Sequence, residues 1–409
     1  MGEDDGRPAQ LRDALAVGEF RAIWLAELQS VLGDQLARVS LAVLVFDRTN
    51  SAAWPALTYA LTFLPDLVSG PLLGGLADRF PRRAVMVTCD LLRCALVAVM
   101  AIPGIPLSAL VAVLVLVQLA NAPFSSAQAS VMPTVLTGDR YVAGQSLLKT
   151  TNQVGQLVGF AAGGAVIAAF GPSRGLAIDA ATFAISAIVI RLGVRARPSP
   201  SADAADVPMS TLHRLAAGVG TIWRDSRLRS LVGAAWLAGF VIVPEGLAVP
   251  YAAQIGDGAT AAGLLLAANP AGIAVGAIVI SRFVTPELRV RIVGVLAVLA
   301  IVPLLGFVFR PPLVIAMTLL FVSGLCAAYQ VIASTTFMRL VPDAERGQAF
   351  GLAGSGLIAV QGVGLIVAGV LVSVLRSPAQ TIVVIAAAGV VTAVPVALAW
   401  RRARRTHPL

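Results

Sequence analysis

Apolar residues run through this chain in long blocks, each closed by charge, glycine or proline. Six blocks lie near 20–46, 54–77, 84–102, 107–132, 142–170 and 174–192. A polar stretch follows, and six more lie near 230–254, 259–281, 290–309, 312–340, 347–374 and 379–400. A helix crosses the hydrocarbon core of a bilayer with about 20 apolar residues. The pattern therefore predicts an all-α integral membrane protein of twelve transmembrane helices joined by short loops. Blocks longer than that minimum predict tilt or extension beyond the hydrocarbon rather than additional spans.

Composition agrees with this: 58% of the 409 residues are hydrophobic, 12% are charged and the mean hydropathy is +0.87. The net charge of +9 raises the question of nucleic acid. Its placement excludes that partner, because the basic residues sit between apolar blocks rather than in an aromatic-rich basic domain. With the N-terminus in the cytoplasm, 23 of the 30 basic residues fall on the cytoplasmic side and four on the other. Positive charge retained inside predicts that both termini are cytoplasmic. The acidic start, Met1-Gly2-Glu3-Asp4-Asp5, has no short apolar region with a cleavage site behind it, so no signal peptide is expected. Cys89, Cys94 and Cys326 lie within apolar blocks and form no CxxC pair, and both histidines, His213 and His407, lie outside the spans. No metal site and no cofactor are expected.

The polar stretch 193–229 opens as a linker at Pro198-Ser199-Pro200-Ser201. In Thr211–Trp223, Leu212, Leu215, Val219 and Ile222 recur at helical spacing beside His213 and Arg214. That spacing predicts an amphipathic helix on the membrane surface or a plain tether. The expected organisation is an N-terminal segment 1–19, a six-helix bundle 20–192, the linker 193–229, a second bundle 230–400 and a basic tail 401–409. Gly144-Gln145 and Gly347-Gln348 open the fifth and eleventh spans about half a chain apart, a faint repeat between the two bundles.

The loop Gly74-Gly75-Leu76-Ala77-Asp78-Arg79-Phe80-Pro81-Arg82-Arg83 is short, arginine-dense and set between two spans. It resembles the cytoplasmic loop between helices 2 and 3 of major facilitator transporters, with Pro81 where the usual signature has a second glycine. That resemblance implies two pseudo-symmetric six-helix bundles with the substrate path between them. It also implies a gating network of Gly74, Asp78, Arg79, Arg82, Arg83, Asp90 and Arg93 that holds the halves together in the outward-open state.

Asp90-Leu91-Leu92-Arg93, Thr137–Leu147, Pro244-Glu245-Gly246-Leu247 and Val341–Gln348 are similar to stretches of the bacterial macrolide-efflux and enterobactin-exporter branch. In the fifth span, Gly155, Gly159, Gly163 and Gly164 resemble the antiporter motif of exporters, with Phe160 in place of its proline. The resemblance implies packing that favours export, and ordinary helix packing accounts for the same glycines.

Charges inside a bilayer are costly, which makes each a functional candidate. Glu27, Asp34 and Arg38 fall within roughly 40° of one another on the first span, at about 100° per residue. One face of that helix is thus polar. Desolvation and a nearby cation act on Asp34 in opposite senses, so it is a candidate proton carrier; a permanent Asp34–Arg38 ion pair is the alternative. Glu27 lies nearer the cytoplasmic end and fits an entrance as well as coupling. Glu245 follows Pro244, so it either binds protons or cations or satisfies backbone opened by the kink. Asp66 follows Pro65 on a small-residue face that suggests packing.

Two polar stripes complete the set. Lys149, Asn152, Gln153 and Gln156 share one face of the fifth span; Gln118, Asn121, Ser125 and Gln128 mark the fourth. Such stripes line a wet cavity or bond between helices. Lys149, the chain's single lysine, either neutralises Asp34 or attracts an anionic group. Tyr251, Tyr329 and Trp236 are candidate apolar contacts or interface anchors. Lys149 follows Leu148, so no phosphate-binding Gly-x-x-x-x-Gly-Lys loop exists.

These readings describe a non-enzymatic, monomeric secondary transporter in a bacterial cytoplasmic membrane. It exports an amphiphilic drug, antibiotic or siderophore in exchange for protons. The alternatives are an importer of a metabolite and a non-transporting receptor or scaffold of the same fold.

Overall fold

The computed structural model describes residues 11–73, 75–197 and 219–406. Within them the side chains of Pro71, Asp78 and Ala344 are not described. Gly74, the Pro198–Ser201 linker, His213, Arg214, His407 and all but the last turns of Thr211–Trp223 lie outside.

The described residues form helices and no strand. In chain order these are α1 (Leu11–Leu15), α2 (Gly18–Thr49), α3 (Ala53–Ala60), α4 (Leu64–Leu73), α5 (Leu76–Arg79), α6 (Arg82–Met100), α7 (Leu107–Leu119), α8 (Asn121–Val135), α9 (Asp139–Phe170) and α10 (Pro172–Gly193). After the linker come α11 (Ser226–Trp236), α12 (Ala238–Val241), α13 (Val243–Gly246), α14 (Ala248–Gln254), α15 (Ala259–Phe283), α16 (Pro286–Leu299), a 3-10 turn (Val302–Phe309), α17 (Leu313–Ala327), α18 (Tyr329–Leu340), α19 (Arg346–Leu375) and α20 (Pro378–Thr406).

Ten helical stretches among the described residues are long and apolar enough to cross a membrane. The other two expected spans are present in altered form, for identifiable reasons. The second is broken at Leu61–Phe63 into α3 and α4. Pro65 has no N–H for the Leu61 carbonyl, so the helix cannot run through. The third, α6, carries Arg82, Arg83, Asp90 and Arg93 in 19 residues, too much charge for a plain apolar span. The same proline logic divides the seventh span, where Pro244 and Pro250 deprive the Phe240 and Gly246 carbonyls of partners. α12 ends at Val241 and α13 at Gly246.

The chain gathers into two compact units. One comprises described residues 11–37, 68–159 and 171–197; the other comprises 38–67, 160–170 and 219–406. Besides the division within the linker, others fall inside α2 and α4 and within and at the end of α9. The first unit is centred on Phe20, Ile23, Met86, Phe124, Met132, Leu136 and Ile190, all buried. In the second, Tyr251 and Tyr329 are fully buried, and their hydroxyls donate to the Pro311 carbonyl at 2.6 Å and the Ala234 carbonyl at 2.7 Å. They are core residues, neither interface anchors nor open contacts. Trp236 is likewise tied inward, its Nε1 donating to the Ala353 carbonyl at 3.2 Å.

Candidate functional site

In the first unit, α2, α8 and α9 enclose a cavity of about 780 Å³, within the size range of small-molecule sites. Residues 125, 128, 129 and 132 of α8 repeat at helical spacing, as do 141, 145, 149 and 152 of α9, so each helix turns one face to this space. The polar lining is Glu27, Ser125, Gln128, Gln145, Ser146, Lys149, Asn152 and Gln153; Met132, Tyr141, Val142 and Leu148 supply apolar wall. Gln128 Nε2 donates to Glu27 Oε2 at 3.1 Å, and Gln145 Nε2 to the Tyr141 hydroxyl at 3.2 Å. Lys149 is exposed, and its ammonium is in none of the ion pairs among the described residues.

Five of the expected cavity residues, Glu27, Ser125, Lys149, Asn152 and Gln153, thus meet in one space, with Gln128 beside them. Gln118, Asn121 and Gln156 do not line it; Gln156 Nε2 instead donates to Asn152 Oδ1 at 3.4 Å. Tyr141, Gln145 and Ser146 are additions. The Gly144-Gln145-Ser146 motif held two of them, and their spacing of three to four residues from Lys149 was the available signal.

Behind the cavity lies a buried charged cluster. Asp90 and Arg93 on α6 are paired at 2.7 Å, and both are almost fully enclosed. Ser186 on α10 donates to the other Asp90 oxygen at 2.6 Å, and the Arg93 guanidinium lies 4.4 Å from the Phe124 ring and 4.7 Å from that of Phe183. Asp179, also buried, is within electrostatic reach of Arg93 and of Asp34 on α2. A Cβ on Gly33 would strike the Asp179 and Thr182 side chains, so only glycine lets α2 approach α10 here. Asp179 was missed in the sequence, although an acid inside the apolar block 174–192 is the same signal that singled out Asp34.

Of the seven residues grouped as a gating network, Arg82 and Arg83 bond to backbone carbonyls, while Asp90 and Arg93 pair with each other. Arg82 Nη1 donates to the Ser130 carbonyl at 2.8 Å. Arg83 Nη1 donates to Val194 and Arg191 carbonyls at 3.1 and 3.4 Å, at the end of α10, where cations suit the helix dipole. Arg79 ends α5 and is exposed. Asp90 is eight residues beyond Arg82 on α6, about 12 Å along the axis. It belongs with Ser186, not with the loop. Gly74 and the Asp78 side chain lie outside the described residues.

The second unit holds a different group. Glu245 Oε2 accepts from the Tyr59 hydroxyl at 2.7 Å. The Arg38 guanidinium lies 5.9 Å from the Tyr59 ring and 5.8 Å from that of Phe63, within electrostatic reach of Glu245. Proline breaks in both spans set this meeting: Tyr59 is in the last turn of α3, and Glu245 is in the four-residue α13. Arg38 is therefore turned to the aromatic pair and Glu245, while Asp34 engages Asp179. Asp66 stands in the first turn of α4, where a carboxylate favours the helix dipole.

The α9 glycines divide between partners. A Cβ on Gly155 would meet Val31, and one on Gly159 would meet Gln35 and the Leu32 carbonyl. Gly163 is buried. A Cβ on Gly164 would come within 2.7 Å of the Ala259 carbonyl and 2.8 Å of Gly263 Cα, so α9 and α15 touch backbone to backbone.

A family model of the Major Facilitator Superfamily matches residues 23–247 and 246–409. The lysophospholipid transporter LplT of Serratia proteamaculans is 28% identical over 84% of this chain and 84% of its own. The multidrug efflux pump Tap of Mycolicibacterium fortuitum is 26% identical over 86% of this chain and 88% of its own. The crystal structure of a bacterial homolog to the human lysosomal transporter Spinster, in an inward-facing and occupied conformation, has the same fold. It superimposes with a TM-score of 0.72 over 94% of this chain and 96% of that one, at 16% identity.

Proposed function

The chain belongs to the major facilitator superfamily and is a multi-pass membrane transporter rather than an enzyme, and we propose that it exports an amphiphilic small molecule in exchange for protons. It does so as a monomer, by alternating access, across a bacterial cytoplasmic membrane with both termini inside. The observation that carries this reading is the cavity wall: an unpaired ammonium, one carboxylate and six amide or hydroxyl side chains face the same space as Met132, Tyr141, Val142 and Leu148. A purely polar metabolite would leave the apolar wall unused; a purely apolar one would displace water from these amides and leave them unpaired, which is costly.

The substrates named for the relatives, lysophospholipids and multiple drugs, are amphiphiles of this kind. Proton coupling is assigned to Glu245 with Arg38 and Tyr59, and to the Asp34–Asp179 pair. In both places a carboxylate's protonation changes a contact between helices. Gly155, Gly159, Gly163 and Gly164 keep the packing tight enough to prevent leakage, and Arg79, Arg82 and Arg83 with Asp78 and Gly74 steady the loop as the helices move.

The test is gradient-driven uptake of a single-chain zwitterionic amphiphile into inverted vesicles. Uptake that follows an imposed pH gradient and stops with an uncoupler is expected. Loss of preloaded substrate from the vesicles along the same gradient would replace export by uptake into the cell. For the orientation, reporters fused after Arg197 and Arg405 should both report cytoplasm, and one after Gly256 the exterior. Arg405 and Gly256 on one side would refute the topology.

A further inference from the structure

The second unit contains another cavity of about 780 Å³, formed where the first turns of α16 meet the last turns of α20. Four arginines line it: Arg291 from α16, and Arg401, Arg404 and Arg405 from α20. Glu287 is its one carboxylate, and none of the ion pairs among the described residues joins it to these arginines.

Arg404 is the centre of the group. Arg291, Arg401 and Arg405 all lie within its electrostatic reach, and its Nε is buried with no hydrogen-bond partner among the described residues. The C-terminal dipole of α20 accounts for arginines in its last turn. It does not account for Arg291, which comes from the other helix, or for a buried N–H with nothing to bond. Four guanidinium groups held together repel one another until an anion sits among them.

The walls are fixed rather than collapsible. A Cβ on Gly294 would lie 3.1 Å from Ala397 Cα, and buried Trp400 donates its Nε1 to the Val290 carbonyl at 3.0 Å. The opposite character begins one turn away. Val295 and Leu398 line the same cleft and stay 59% and 47% exposed, on helices that cross the membrane. The cleft is thus cationic at the helix ends and apolar along the helices. The N-terminus of α16, preceded by Thr285, adds unbonded backbone N–H groups at the cationic end.

The geometry points to an anionic phospholipid as the occupant of this cleft, its phosphate held by Arg291 and Arg404 and an acyl chain laid along Val295 and Leu398. Guanidinium forks match phosphate oxygens in a bidentate way that an ammonium does not, and basic pockets between transmembrane helices suit anionic headgroups. The site is independent of the transport cavity and of the direction of transport.

The experiment is native mass spectrometry of the full-length protein released from detergent, titrated with cardiolipin, phosphatidylglycerol, phosphatidylcholine or inorganic phosphate alone. Cardiolipin and phosphatidylglycerol should remain bound at lipid concentrations at least tenfold below those needed for phosphatidylcholine. The double variant Arg291→Gln, Arg404→Gln should lose about tenfold in that affinity, while Arg402→Gln, an exposed neighbour outside the lining, should keep it. Should the double variant fail to fold, Arg404→Lys keeps the charge without the fork and should still lose several-fold. Equal loss in Arg402→Gln, or equal binding of phosphatidylcholine, would overturn the assignment as general charge attraction. Inorganic phosphate binding as tightly as the lipids would overturn the lipid in favour of a free anion.

Discussion

Glu27 and Glu245 are both glutamates inside a membrane transporter, and their surroundings differ in kind. Glu27 borders a cavity, is held by a single amide from Gln128, and shares its space with an unpaired lysine. Glu245 is bonded to the phenol of Tyr59, with Arg38 packed on that ring and on Phe63. A carboxylate with space and a weak neutral partner is suited to reading a ligand. A carboxylate locked into a contact between two helix breaks is suited to changing that contact when it gains a proton. Transport needs both properties, and one residue cannot supply both well.

The strongest way to break this division is Glu245→Gln, which keeps the shape and cannot cycle a proton. Gradient-driven uptake in inverted vesicles should fall to the level seen without a gradient. Substrate affinity, measured by equilibrium binding to the purified protein, should change less than about threefold, under roughly 0.7 kcal/mol. A large loss of affinity would place Glu245 in the substrate site and erase the distinction.

Asp34 and Asp179 sharpen the comparison from the other unit. A buried carboxylate and a half-buried one within reach of each other repel when both are ionised. Asp179→Asn should therefore raise thermal stability, by about 1 kcal/mol, while cutting gradient-driven uptake by roughly tenfold, about 1.4 kcal/mol in the barrier. Stability that falls, with transport intact, would make Asp179 a purely structural acid.

How far such a division could be read in the sequence depends on contrast. The amides and lysine of α9 stand out because they recur at helical spacing in an apolar block; Lys149, Asn152 and Gln153 line one cavity, while Gln156 does not. The break at Pro244 was legible for the same local reason, whereas the one at Pro65 was not expected. Tyr59 gave no signal, since an aromatic residue in an apolar run looks like core until its hydroxyl is seen on Glu245, 186 positions away. The Asp90–Ser186 bond spans 96 positions and joins residues whose local sequence says nothing of each other. Asp90 and Arg93 were grouped with the Arg82 loop through the family resemblance; about 12 Å of helix axis lies between Arg82 and Asp90. Periodicity reveals which face is polar, and only tertiary packing reveals which polar faces meet.

Lys149→Met tests the cavity half directly. The change keeps the apolar stem and removes the ammonium, the one unpaired cation facing that space. An amphiphile with an anionic group in its headgroup should bind about tenfold more weakly, a loss of about 1.4 kcal/mol. A cationic drug should bind as well as before or slightly better, because repulsion is removed. Equal weakening of both classes would mean that Lys149 supports the cavity wall rather than reads charge.

The smallest expected effect comes from Gln128→Leu, and it is the most discriminating of the four. The substitution takes away the one hydrogen bond that the Glu27 carboxylate accepts among the described residues, at 3.1 Å. Were Glu27 enclosed as Glu245 is, an unpaired carboxylate would cost several kcal/mol and the protein would fold poorly. Glu27 borders open space, so water takes the place of the amide and the net loss should stay near 0.5–1.5 kcal/mol, the worth of an ordinary hydrogen bond. Thermal denaturation in detergent should show a small shift, and affinity for a zwitterionic amphiphile should fall only about two- to threefold. A matched Tyr59→Phe, which removes the phenol's hydrogen bond to Glu245, should destabilise more, since protein surrounds that carboxylate. Equal losses in the two variants would mean that the two glutamates share one kind of environment, and the separation of ligand reading from proton response would have to be abandoned.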